Sequence, residues 1–209
     1  MMLITALEKQ KGGWAVFVEG EYALMLDAET FVRAKLRAGE EITPARLDEL
    51  KYQSDLRRTR ERALYLLETR AHSRKELFDK LVKTGGEAAA GEVTARMEEL
   101  GLLDDADYAA RLARQLTERK GYGEVRVRQE LARRGIDREL IEDAMAGVAE
   151  TADVDAALDA LIARRYARCL GDEKGRSRAV GGLLRMGYRQ ADIRRAIGRA
   201  LDALEAEGE

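Results

Sequence analysis

The chain repeats itself, and the repeat constrains the fold more than any other feature. Leu77, Leu81 and Gly85 align with Val127, Leu131 and Gly135, and again with Ala179, Leu183 and Gly187. Each set places two apolar residues four apart on one helix face, with glycine where the helix must stop in a left-handed turn. A second helix recurs behind the first. Val93, Met97 and Leu100 align with Ile141, Met145 and Val148, then with Ile193, Ile197 and Ala200. Repeat one carries two extra residues in the intervening loop, GGEAAAG. An amphipathic segment precedes each pair: RALYLLETR, DYAARLARQL and VDAALDALIARRYA. The pattern predicts a mainly α fold of three tandem three-helix repeats, over residues 56–103, 104–150 and 151–209. Units this small are expected to stack into an elongated, curved array, because none closes a core alone.

Residues 1–55 read differently. Runs rich in β-formers predict strands at Leu3–Glu8, Trp14–Val18 and Tyr22–Leu26, with KGG as a turn between the first two. A hairpin or sheet this small is marginal alone and must dock on helices, with Trp14 packed beneath it. Asp27 is the expected N-cap of a short helix, AETFVRAKLRA, ended by Gly39. Thr43 and Pro44 then start another helix, with an interruption expected at Gln53-Ser54-Asp55. Further starts are the capping box Ser73–Glu76, Asp105 or Asp107, and Asp153.

No catalytic constellation stands out, and the reading is of a protein that is not an enzyme and needs no cofactor or metal. Asp104, Asp105 and Asp107 suit a helix start better than a cation site. KGYGE lacks the third glycine and preceding strand of a dinucleotide loop; Gly123 and Gly175, which share a register, suit close helix packing. His72, the single histidine, is expected at the surface beside a cap, and the lone Cys169 is expected in the core beside Leu170. One cysteine precludes an internal disulfide and fits a reducing, cytoplasmic compartment. No apolar run reaches the roughly 20 residues that span a bilayer.

The cations point to binding. The net charge is only −2, so a surface for polyanions must arise by sorting charges onto faces. Lys83, Arg133 and Arg185 share one register, two positions before the aligned glycine, and Arg126 and Arg178 share another. Helix dipoles favour cations in a last turn by about 0.3–1 kcal/mol, yet cations recurring along a repeat array also suit a regularly charged polymer. Arg74 and Lys75 add charge in repeat one. These seven residues are the candidate contacts to a partner protein or to single- or double-stranded DNA phosphates.

The segments ALYLLETRAHSRKELFDKLVKTGG, GLLDD with Tyr108-Ala109, and QELARRGI resemble the bacterial RecX family of recombination regulators, as does the leading GEYALMLDAETFVRAKLRAGEEI. The resemblance covers nearly the whole chain and is strongest through repeats one and two. It implies three tandem three-helix repeats and an interaction protein. Such a protein binds the RecA recombinase, chiefly its filament on single-stranded DNA, and inhibits or modulates filament growth, ATP hydrolysis, strand exchange and cleavage of the SOS repressor. A monomer is expected. Two other readings suit the helices: a helix-turn-helix transcription regulator, which requires sequence preference, and a helical scaffold for an unrelated partner.

Overall fold

A computed structural model describes residues 1–151 and 153–208 of the protein; Ala152 and Glu209, both within the predicted third repeat, lie outside the described residues. The fold is mainly α with a small antiparallel sheet at the N-terminus. It divides into two compact units, Met1–Leu103 and Asp104–Glu209.

In the first unit, β1 (Met2–Gln10), β2 (Gly13–Val18) and β3 (Glu21–Leu26) form a meander. A fourth strand, β4 (Glu41–Ile42), completes the order β3-β2-β1-β4. Two residues carry no readable period; β4 is defined only by its pairing with Met2 and Leu3. Alternation along the strands buries Ile4, Val16, Val18, Leu24 and Leu26 against Ile42 and Leu50. Trp14 stacks flat on Phe31 of α1 (Ala28–Ala34), with ring centroids 4.1 Å apart. Asp27 caps α1 by accepting from the N–H groups of Glu29 and Thr30. The helix stops at Lys35, which itself takes the left-handed conformation (φ 52°), so Gly39 is not its terminator.

Helix α2 (Pro44–Thr69) runs unbroken through Gln53-Ser54-Asp55, contrary to the expected interruption. Ser54 is buried, and its Oγ accepts from the Asp27 N–H at 2.8 Å. A polar residue that reads as a break is therefore the tie between α2 and the start of α1. Arg57, one turn on, pairs with Asp27 (3.2 Å), Glu61 (3.1 Å) and Glu29. Burial pushes the Asp27 carboxyl up, but hydrogen bonds from Thr30, Ser54 and Glu29 outweigh it and hold the group below its usual value.

Helix α3 (Arg74–Glu99) begins at the predicted capping box, with Ser73 Oγ accepting from the Glu76 N–H at 3.1 Å. The expected stop falls one residue late: Gly86 (φ 78°, ψ 177°) is non-helical and divides α3 into two helices that run end to end, so most of GGEAAAG is helical rather than loop. Gly85 serves the approach of α3 to α2: a Cβ there would lie 2.2 Å from Thr59 Oγ1 and 2.9 Å from the Asp55 carbonyl oxygen. Ala63, Leu66, Leu77, Leu81, Ala90, Val93 and Met97 close a core with Leu103. Leu100, aligned with inward residues, is instead exposed at the end of α3.

His72 also departs from expectation, being 3% exposed. Its Nδ1 lies 2.9 Å from the Arg70 carbonyl oxygen and its Nε2 2.8 Å from Lys80 Nζ. A carbonyl can only accept and an ammonium can only donate, so the ring is neutral with its proton on Nδ1. Burial pushes its pKa below the ordinary 6.5, and the Arg70 and Lys80 charges add to that. A histidine of lowered pKa contributes full stability above the unfolded value and loses it as pH falls through the folded value. The urea midpoint of the wild type is expected to fall on going from pH 7.5 to pH 5, and His72→Gln should flatten that dependence. An equally steep fall in the variant would assign it to another group.

The second unit contains two three-helix sets. Helix α4 (Asp105–Arg114) continues into a π-helical turn, Gln115–Arg119, and is followed by α5 (Glu124–Arg133) and α6 (Arg138–Thr151). Asp104, rather than Asp105 or Asp107, caps α4 by accepting from the Asp107 N–H. Ala109, Ala113, Leu116, Val127, Leu131, Ile141, Met145 and Val148 form one core. Helices α7 (Val154–Arg165), α8 (Glu173–Arg185) and α9 (Gln190–Gly208) enclose a second, from Leu158, Ile162, Ala179, Leu183, Ile193 and Ile197. Asp153 caps α7 as expected. Cys169 is half-buried in a 3-10 turn, where its thiol donates to the Tyr166 carbonyl. Each three-helix set thus contributes its own buried cluster, and the third helix covers the apolar stripe of the other two.

The two sets meet at glycine. Gly123 N–H donates to the Met186 carbonyl (2.8 Å) and Val125 N–H to the Gly187 carbonyl (3.1 Å). The free donors at the start of α5 thereby satisfy the free acceptors at the end of α8, and the two dipole ends attract. Tyr188 adds a hydrogen bond from its hydroxyl to the Gly121 carbonyl at 3.1 Å, and Glu124 pairs with Arg189 at 2.7 Å.

Candidate anion-binding surface

The seven candidate cations do not share one environment. Arg74 pairs with Glu98 (3.2 Å), Lys75 with Asp79 (2.5 Å) and Arg133 with Glu130 (2.6 Å), all at exposed positions. Exposed pairs of this kind contribute about 0–1 kcal/mol and open readily to a competing anion. Arg126 is committed inward: its Nη1 donates to the Arg185 carbonyl at 2.9 Å and its guanidinium lies 4.1 Å from the Tyr122 ring centroid. That residue belongs to the junction between α5 and α8. Lys83, Arg178 and Arg185 are exposed, and among the described residues no carboxylate lies within 4.0 Å of them. Of the seven candidates, three are thus open, three are paired and one is structural.

A second group escaped the repeat alignment. Arg119 and Lys120 leave the π-turn after α4, and Arg164 and Arg165 form the last turn of α7. All four line one groove of about 580 Å³, together with Thr117, Tyr122, Val154, Ala157, Leu161 and Tyr188. The four are exposed, and no ion pair joins any of them to a carboxylate among the described residues. Two other recesses differ. In one of about 530 Å³, Arg33 and Arg57 are matched by Glu29 and Glu61, which leaves Arg60 as a single open cation among the described residues. In one of about 390 Å³, Glu124 pairs with Arg128 and Arg189, and Glu142 with Arg128. The signals that could have exposed the group are the runs ERK, just before GYGE, and ARR at the end of α7. They were missed because they occupy different positions in their repeats.

Among the described residues, no group of three or more His, Cys, Asp or Glu is placed to hold a metal ion. Of the three acids in GLLDDADY, Asp104 is a cap and Asp107 pairs with Arg111. No helix among the described residues is long and apolar enough to cross a membrane.

The succession of three-helix sets has counterparts among known proteins. The family description "RecX, second three-helix domain" matches residues 104–145. A regulatory protein RecX from Stenotrophomonas maltophilia is 35% identical over 174 residues, covering 82% of this chain and 96% of that protein. One from Caldanaerobacter subterraneus is 31% identical over 70% of this chain and 76% of its own. One from Bacillus licheniformis is 27% identical over 100% of this chain and 85% of its own. Two crystal structures share the fold. One, of a regulatory protein RecX, has a TM-score of 0.62 at 18% identity, covering 92% of this chain and 97% of that one. The other, of RecX from Lactobacillus salivarius, has a TM-score of 0.61 at 23% identity, covering 70% of this chain and 96% of that one. The chain belongs to the RecX family of regulatory proteins.

Proposed function

We propose that the protein binds the RecA recombinase, chiefly as a filament on single-stranded DNA, and restrains filament growth, ATP hydrolysis, strand exchange and repressor cleavage. The observation that carries this reading is the family match, which takes in 96% of the Stenotrophomonas relative. Its chemistry is that of an interaction protein acting without a cofactor. Recurrent three-helix sets can meet a periodic target at several points, and each tethered contact raises the effective concentration of the next. A filament geometry bound more tightly than the active one is populated by that difference in affinity.

Lys83, Arg178 and Arg185 are the contacts proposed for acidic filament surface or DNA phosphate, with Arg74, Lys75 and Arg133 available once their exposed pairs open. Arg126 is a positioning residue in this reading, because its guanidinium holds the Arg185 carbonyl. The test adds purified protein to RecA on single-stranded DNA and follows ATPase activity, with inhibition expected. Reversing Lys83, Arg178 and Arg185 to glutamate should weaken it about tenfold or more, the scale of a few exposed ion pairs. Undiminished inhibition would remove these three from the contact surface, and no response of RecA to the wild type would overturn the function.

A further inference from the structure

We infer that the groove between the π-turn after α4 and the last turn of α7 is a binding site for a chain of phosphates. This goes beyond the partner proposed above, because it concerns residues outside the repeat register and requires no recombinase. The cations come as two adjacent pairs on two separate elements, Arg119-Lys120 and Arg164-Arg165. Two anchoring points select a ligand with more than one anionic centre. Glu118 and Asp153 are the acids in the lining, so the groove carries an excess of two positive charges.

Part of the remaining lining is apolar. Val154, Ala157, Ala160 and Leu161 give the lining an apolar stretch on α7, and Tyr122 and the largely buried Tyr188 contribute from other elements. Such a surface suits the base and sugar of a nucleotide, whereas a polyacidic peptide would gain nothing from it. Lys120 Nζ lies over the Tyr122 ring, 5.8 Å from its centroid, rather than on an acid. The π-turn is the sequence-local device behind the arrangement. Its wider turn departs from the α spacing of α4 and delivers Thr117 through Lys120 together to the groove. Thr117 Oγ1, within that turn, is shielded and has no hydrogen-bond partner among the described residues.

The phosphates can come from a single nucleic-acid strand or from a nucleoside polyphosphate, and the test separates the two. The full-length protein, without RecA, is titrated with a labelled oligothymidylate, and separately with ATP by calorimetry. Binding of at least one is expected. The variants Arg119→Ala/Lys120→Ala and Arg164→Ala/Arg165→Ala should each lose about tenfold in affinity. For the strand, each pair should also lower the slope of log affinity against log salt by about 1.4, the share of two phosphate contacts. Arg194→Ala/Arg195→Ala on α9 removes the same charge elsewhere and should leave that slope unchanged. Displacement of the strand by ATP assigns one shared site; binding of the strand alone assigns a nucleic acid. The inference is overturned if neither ligand binds, if the α9 control loses as much as the groove variants, or if polyglutamate competes equally charge for charge. Failure here leaves RecA inhibition untouched, and loss of RecA inhibition leaves this site untouched.

Discussion

Gly187→Ala is expected to destabilise the second unit by about 3 kcal/mol, read as a fall in the urea midpoint at constant slope. Two costs combine at this position. The backbone has φ 88°, where a side chain costs about 1–2 kcal/mol. A Cβ there would also lie 2.4 Å from the backbone nitrogen of Arg126, which cannot swing away as a side-chain end can. Overpacking of this kind costs about 1–3 kcal/mol. Two other glycines separate the terms. Gly101 has φ 67° with nothing within 4 Å of its Cβ position, so Gly101→Ala should cost only the conformational share. Gly123 has φ −74°, while its Cβ would lie 2.4 Å from the backbone of Gly187 and Tyr188, so Gly123→Ala should cost only the packing share. Because Gly123 and Gly187 face each other, the double variant should lose less than the sum, since either alanine alone forces the helix ends apart. Strict additivity would mean that the ends of α5 and α8 do not share one contact.

The same junction shows what could be read from the residues and what could not. Register was legible: Leu77, Val127 and Ala179, with Leu81, Leu131 and Leu183, are all 0% exposed, because an i, i+4 apolar pair can only face a core. Cap chemistry was legible at Asp27, Thr43, Ser73 and Asp153, because a cap is a local hydrogen bond. What depended on distant chain was not. Ser54 read as a helix interruption because nothing nearby reveals that it meets Asp27. Gly85 reads as the left-handed stop, yet Gly86 takes the positive φ and Gly85 lies where Thr59 and Asp55 of α2 come close. His72 looked exposed because Lys80, which closes over it, lies two turns into α3. For the candidate site the limit was sharper. Repeat alignment finds cations that recur, and the groove is built from cations that do not: Arg119 ends, and Lys120 follows, the π-turn after α4.

Leu131→Ala and Arg133→Ala, two residues apart on α5, are expected to have opposite consequences, and the contrast separates what folds the repeat from what it offers to a partner. Leu131 is 0% exposed in the core formed with Ala109, Val127 and Ile141, so truncation removes buried apolar surface and leaves a cavity. The expected loss is about 2–5 kcal/mol, with the spread set by how far α4 and α6 can collapse into the space. Arg133 has a 73% exposed side chain paired with Glu130, and its truncation should change stability by about 0.5 kcal/mol or less. Urea unfolding gives both values, and RecA ATPase inhibition, measured where each variant remains folded, gives the second axis. Leu131→Ala should inhibit in proportion to its folded fraction, since its side chain reaches no surface. Arg133→Ala should keep its stability and lose inhibition only if its exposed pair opens to the filament. A core variant that stayed stable but ceased to inhibit would place the contact inside the helix set rather than on its cations. A destabilised Arg133→Ala would show that the recurrent last-turn cation serves the dipole of α5 before it serves any partner.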